Sequence, residues 1–417
     1  MCEMQEENHL KRNKNNMLRE SLPRLLGFLD GVEKIELEQV ALEIGDLEFF
    51  IPTGRGEGGG FSGFYPPATT IPIKPTALIP AAFTPYREEF SGRIREVMLG
   101  ATRAEGGSRS RVLTIGGADA PPFAFPQHPP ANPPVLAVDV FDMDITLPRA
   151  IKAGIKEVMA DPAEWARLNV NKYGADMVTI HLMSTDPLIK DASPRAAART
   201  VETVLQAVDV PIIIGGCGDP HKDSRVFCEI AEMAHGERLL LNSVTLDMAE
   251  AKTLEPVAKA ARKHNHAVLG FTGLELNKAK ELNRRLYEYL SPESIVMDLT
   301  TVALGYGLEY SFTIHERARH AALMGDAELQ HPTISASTNA WAAREAWMKM
   351  DARFGARDIR GPLWETINAL TLLLAGVDVL MMMHPAAIRT VRETASNLMK
   401  HEPVNADQVS GWTGARI

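Results

Sequence analysis

The chain has 417 residues, 45% of them hydrophobic and 23% charged, with a formal charge of -9. That length buries a large core unaided, and the negative balance argues against a sequence-blind grip on nucleic acid or anionic membrane. Three cysteines (Cys2, Cys217, Cys228) exclude a disulfide framework and an iron-sulfur cluster held by four thiolates of this chain alone, and they fit a reducing cytoplasm.

Residues 1–16 are polar, and the first twenty residues hold no apolar run, so no signal peptide is expected. Met17 to Leu29 carries leucines at 18, 22, 25, 26 and 29, a helical stripe with Gly31 just beyond it. Two short extended runs follow, and residues 1–51 read as a small α+β appendage. A Gly- and Pro-rich stretch, 52–84, reads as a linker. Residues 85–400 read as the main domain and 401–417 as a tail. Inside the main domain, RVLTIGG at 111–117 predicts an extra strand, part of a hairpin that plugs a barrel mouth.

From residue 135 the pattern is strand, loop, helix, repeated. The predicted strands are VLAVDVFD, MVTIHL, PIIIGG, LLLNSV, AVLGFT, IVMDLT, PTISAS and VLMMMH, beginning at 135, 177, 211, 239, 267, 295, 332 and 379. Near-continuous apolar runs of this length suit parallel strands buried on both faces. The starts at 211, 239, 267 and 295 repeat every 28 residues, one strand plus one crossover helix. Between them, Ser193-Pro194 opens one helix, Val226, Ile230 and Met233 stripe a second ended by Gly236, and Ala279, Leu282 and Leu286 stripe a third. Eight such units predict a (β/α)8 TIM barrel. A doubly wound open sheet is the alternative, but no GxGxxG follows the first strand. The apolar run Ile367 to Met383 is broken by Gly376 and Asp378, so it reads as a helix end and a buried strand rather than a membrane span.

In such a barrel, function sits at the C-terminal strand ends. Asp142 and Asp144 close the first strand, His181 the second and His384 the last. Paired carboxylates could split their pKa values for acid–base work. The plainer reading is that one caps the following helix and the other lines the rim. The two histidines read as hydrogen-bonded rim residues, since no third ligand accompanies them. Cys217, among glycines, reads either as a thiol lowered by a helix N-terminus or as a small residue in a tight turn. GGCGDPHKD at 215–223 allows close backbone approach and leads into a helix N-terminus that favours anionic or polar groups. DPHKDS lacks the glycine of the D-x-H-x-x-G cobalamin-ligand signature and is no match to it. No catalytic residue and no metal ligand are assigned.

The strings MDLTTVALGYGLEYSFTIHERARHAAL at 297–323, NPPVLAVDVFD at 132–142, GGCGDPHKD and NAWAAREAW at 339–347 together resemble the small-subunit family of corrinoid/iron-sulfur proteins, over about residues 85–400. The appendage resembles the longer, archaeal version. The resemblance implies a subunit of the acetyl-CoA decarbonylase/synthase complex. It implies a heterodimer with a larger subunit that carries the iron-sulfur cluster and the cobalamin-holding domain. A corrinoid (cobamide) enclosed between the two would move a methyl group between a tetrahydropterin, of the tetrahydromethanopterin or tetrahydrosarcinapterin type, and the nickel centre of acetyl-CoA synthase. CO dehydrogenase subunits would be further partners. The residues expected to face the corrinoid are Thr300, Gly305, Tyr306 and Gly307, with Gly216, Gly218, Asn242, Thr272 and Asn339 around the same rim. The barrel is also similar to pterin-binding methyltransferase and dihydropteroate synthase barrels, with LNSVT at 241–245 like their Asn-containing strand. The alternative is therefore a stand-alone pterin-dependent methyltransferase.

Overall fold

The computed structural model describes residues 89–123 and 131–400. The appendage 1–51, the linker 52–84 and the tail 401–417 lie outside the described residues.

Two short strands come first, β1 (Glu96–Leu99) and β2 (Leu113–Gly116), paired antiparallel with Glu96 opposite Gly116. Eight parallel strands follow: β3 (Val135–Phe141), β4 (Met177–His181), β5 (Ile212–Gly215), β6 (Leu240–Val244), β7 (Ala267–Phe271), β8 (Ile295–Asp298), β9 (Thr333–Ala336) and β10 (Val379–Met382). They close into one barrel in chain order, β10 pairing with both β9 and β3. All eight coincide with the apolar runs of the sequence, because a strand covered on both faces cannot alternate with polar residues.

Among the described residues, ten α-helices accompany them: α1 (Arg149–Ile155), α2 (Pro162–Asn171), α3 (Pro194–Ala207), α4 (Pro220–Met233), α5 (Leu246–Glu250), α6 (Leu254–His264), α7 (Leu276–Tyr287), α8 (Leu308–Leu323), α9 (Arg357–Leu374) and α10 (Pro385–Lys400). Local chemistry sets their starts. Asp161, Ser193 and Asp219 each accept an N–H of the following turn, and each is followed by proline at the first helical position. The predicted stripes face inward: Val226 and Ile230 of α4 and Ala279, Leu282 and Leu286 of α7 are buried. α9 ends at Leu374, Gly376 turns with φ +95°, and β10 begins at Val379, as the broken apolar run predicts. No helix among the described residues is long and apolar enough to cross a membrane.

The hairpin β1–β2 does plug the N-terminal mouth. Val97, Leu99 and Ile115 are buried with Val135, Ala137, Met177, Ile213, Leu240 and Ala267, which line the lower barrel interior. Fully buried aliphatic side chains such as these each contribute about 1.5–3 kcal/mol. Arg109, between the two strands, fixes this end to the outer helices. Its guanidinium donates to the carbonyls of Leu205 and Val208 and to Glu237, the last at 2.8 Å. The opposite mouth, where function is expected, has no plug among the described residues.

Candidate functional site

The inward period-2 positions of the strands change from apolar to polar toward the C-terminal rim. Above Val135 and Ala137 stands Asp139; above Met177 stand Thr179 and His181. Register sets Asp139 beside Thr179 and Phe141 beside His181, whose rings stack at 4.8 Å. His181 Nε2 lies 3.2 Å from Asp139 Oδ1, but off hydrogen-bond alignment, so the contact is electrostatic. Both Asp139 oxygens and the Thr179 hydroxyl are buried with no hydrogen-bond partner. Across the mouth, Asp298 ends β8. Its Oδ1 accepts the Thr300 N–H, and burial pushes its carboxyl up to about 7. Glu365 of α9 is a third buried carboxylate, accepting the N–H groups of Met383 and His384 and the indole N–H of Trp341. Burial raises it, too, to about 7.

The loop 215–223 is held by one side chain. Asp223 accepts the N–H groups of Cys217 and Gly218 from inside its own helix, and a Cβ on Gly216 would stand 2.5 Å from its carboxyl carbon. Gly218 has φ +95°, which favours glycine. Of the two readings of Cys217, the lowered thiol is not the one its surroundings favour. Burial and the neighbouring Asp223 carboxylate raise its thiol, so the turn-residue reading is the one that holds. Asp142 caps no helix after β3, since Pro148 precedes α1. Its carboxylate instead accepts from the backbone and hydroxyl of Ser184 in the next loop, while Asp144 is exposed. His384 is a hydrogen-bonded rim residue, its Nδ1 accepting the Ala386 N–H and its ring stacked on Trp341. Burial pushes it down to about 4.

The nine expected site residues fall into two groups on the rim. Gly216 donates to the Asn242 carbonyl at 2.8 Å, and Asn242 is half-buried where β6 shifts register. On the other side, Thr300 donates its hydroxyl to the Thr272 carbonyl, and Asn339 donates to the Thr301 carbonyl, both at 2.9 Å. Thr300 holds φ +84°, a strained conformation for a β-branched residue. Gly305 and Gly307 both have positive φ and turn the chain into α8. Between them Tyr306 is 57% exposed, anchored only by its hydroxyl donating to Glu345. Gly218 stays with the Asp223-braced loop. Asp139 and Glu365 were not singled out in the sequence. Asp139 was accessible to such reasoning, since 135, 137 and 139 alternate inward.

The rim also displays large apolar side chains: Leu188, Tyr306, Tyr310, Trp347, Met348 and Phe354 are exposed. The described residues show no cluster of three metal-ligating side chains. Chemically the mouth can hydrogen-bond, stack and exclude water; its carboxylates are enclosed rather than poised at an open cleft.

The fold is that of a (β/α)8-barrel protein with a polar C-terminal rim. The family model described as CO dehydrogenase/acetyl-CoA synthase delta subunit matches residues 96–352. The chain belongs to this family, that of acetyl-CoA decarbonylase/synthase complex subunit delta. It is 47% identical over 359 residues to the subunit delta of Methanosarcina mazei, covering 84% of this chain and 81% of that one. It is 48% identical over 331 residues to that of Archaeoglobus fulgidus (78% and 72%) and 44% over 393 residues to that of Methanopyrus kandleri (91% and 93%). Among solved structures, the dihydropteroate synthase of Xanthomonas albilineans aligns with TM-score 0.44 and 14% identity, over 70% of this chain and 97% of that one.

Proposed function

We propose that the chain is the barrel subunit of a corrinoid/iron-sulfur methyl carrier in an acetyl-CoA decarbonylase/synthase complex. In this reading it forms a cytoplasmic heterodimer with a larger corrinoid-holding subunit, and its rim walls one side of the cofactor. The observation that carries the reading is the rim itself: Tyr306, Tyr310, Trp347 and Met348 are exposed there, near buried polar groups that lack partners. Exposed apolar surface of this kind marks an interaction face.

When bound, a corrinoid supplies a cobalt centre that carries the methyl group between a tetrahydropterin and a nickel–iron–sulfur centre. The residues present fit a wall rather than a ligand set. His384 has its Nδ1 occupied and its ring stacked on Trp341, and His181 is stacked on Phe141 with its Nε2 beside Asp139. Tyr306 offers a flat face with a polar tip, and Gly305 and Gly307 let backbone approach closely. Thr272 and Asn339 would orient amide groups of the corrinoid at the same edge, and Asn242 with the glycines of the 215–223 loop would close the opposite one. The residues 1–51 would dock on another subunit, with 52–84 as tether.

Co-expression with the larger subunit tests this. Tyr306→Ala should leave the barrel folded and lower corrinoid retention or methyl-transfer rate at least several-fold. Full corrinoid content and full rate in the variant complex would refute the assignment of this loop. A stand-alone pterin-dependent methyltransferase would instead bind methyl-pterin as the purified chain, without the larger subunit.

A further inference from the structure

The first turns of α9 gather positive charge that nothing in the described structure answers. Arg360 is 4% exposed, yet its Nε and Nη1 have no hydrogen-bond partner; only Nη2 is used, on the Met348 carbonyl. Four residues on, and so on the same helical face, the Trp364 indole N–H is also buried and unpartnered. Arg357, three residues before Arg360, falls on that face too and commits its Nε to the Trp347 carbonyl. The helix start adds to the imbalance. Its N-cap is Ala356, with no side-chain cap, so the positive end of the helix dipole coincides with two guanidinium groups. The acid of the first turn, Asp358, is drawn to Arg149 instead.

Neighbouring acids do not resolve this. Residues 344–360 hold five basic and three acidic side chains. Glu345 accepts from Tyr306, Asp351 caps the short turn at Arg353, and Asp358 pairs with Arg149. Every orphan on the α9 face is a donor, and none is an acceptor. A water molecule brings two lone pairs but also two hydrogens that would need acceptors of their own. A tetrahedral oxyanion accepts several N–H groups, matches the planar fork of arginine, and is favoured at a helix N-terminus.

We propose that the start of α9 is a binding site for a phosphate-type oxyanion, held by Arg360 and Trp364 with Arg357 at its edge. It adjoins the rim, where Arg360 and Arg357 donate to the carbonyls of Met348 and Trp347, but its anion-binding side chains are none of those assigned above to the corrinoid wall, and phosphate binding by the isolated chain is read without the corrinoid.

The test uses the full-length chain in phosphate-free buffer at constant ionic strength. A ligand that binds only the folded state raises the melting temperature, and inorganic phosphate at about ten times its dissociation constant should raise it by roughly 2–4 °C. Chloride should give no shift and acetate, planar and singly charged, a smaller one. Trp364→Phe keeps the ring and removes one donor; it should weaken phosphate binding at least about threefold. Arg360→Ala should abolish the shift. Should that variant fail to fold by circular dichroism, Trp364→Phe and Arg357→Ala carry the comparison. Absence of any phosphate-dependent shift in the wild type would overturn the proposal. So would an equal shift in Trp364→Phe and Arg357→Ala, which would put the anion elsewhere, or a larger shift with acetate than with phosphate.

Discussion

The two mouths of the barrel are built on opposite rules. At the N-terminal mouth, the hairpin β1–β2 fills the interior with Val97, Leu99 and Ile115, and the buried Arg109 has every nitrogen engaged. At the C-terminal rim, Asp139, Thr179, Thr272, Arg360 and Trp364 keep buried polar atoms without partners, and Thr300 is strained. The first end is filled and braced within the chain, with the His331 Nδ1 left unpartnered, while the other concentrates unmet hydrogen-bonding demand and exposed aromatic rings. Fold stability should therefore be most sensitive at the first, and partner or ligand binding at the second.

The largest effect should come from Arg109→Ala. It leaves Glu237 and three carbonyls without their donor, and breaking a buried pair of this kind costs about 3–5 kcal/mol. Urea unfolding would measure it, and a cost below that of ordinary surface changes would erase the contrast between the two ends. Next comes Asp298. Its carboxyl is raised to about 7 in the folded state, from an ordinary value near 4. The folded state then holds the proton more tightly, so this group lowers stability as pH rises from about 4 through about 7. Asp298→Asn retains an acceptor for the Thr300 N–H. Above pH 7 it should be more stable than wild type by on the order of 3 kcal/mol, a gain that fades toward pH 4. Thermal melts at pH 5 and 8 would check it; an equal effect at both values would mean that Asp298 is not held neutral. Trp347→Ala should alter complex formation more than folding, weakening association with the larger subunit about tenfold or more. Surface plasmon resonance on the purified subunits would decide, and unchanged affinity would remove Trp347 from the interface. The smallest change in stability should come from Leu188→Ser. At 95% exposed, Leu188 should move stability by less than about 0.5 kcal/mol, while a docking role would still appear as slower assembly.

The barrel was legible because parallel strands write themselves as uninterrupted apolar runs at a regular step, and the PIIIGG, LLLNSV, AVLGFT and IVMDLT segments do so. The plug was legible from RVLTIGG. The rim was legible only in part. Gly305, Gly307 and Gly218 occupy the positive-φ positions that a glycine signals, and Tyr306 sits exposed between two of them. The Cys217 environment was not readable, because it depends on Asp223 folding back from inside α4. Asp142 also found its partner in another loop rather than in the following helix. The α9 cluster escaped for a local reason: Gly361 and Pro362 break the pattern of a helix start, so Arg360 and Trp364 do not look like neighbours on one face.

The plug also carries a consequence in time. Gly92 donates to the Leu323 carbonyl, Arg95 to that of Gln330, and Gly100 to that of Arg238, so the hairpin segment is anchored by residues made more than a hundred positions later. On the ribosome this segment must wait, unseated, while most of the barrel is synthesised. Contacts of such long sequence separation form slowly. Until residues near 330 emerge, the apolar faces of β1 and β2 have no permanent home, and a nascent chain halted there should be a preferred client for a chaperone.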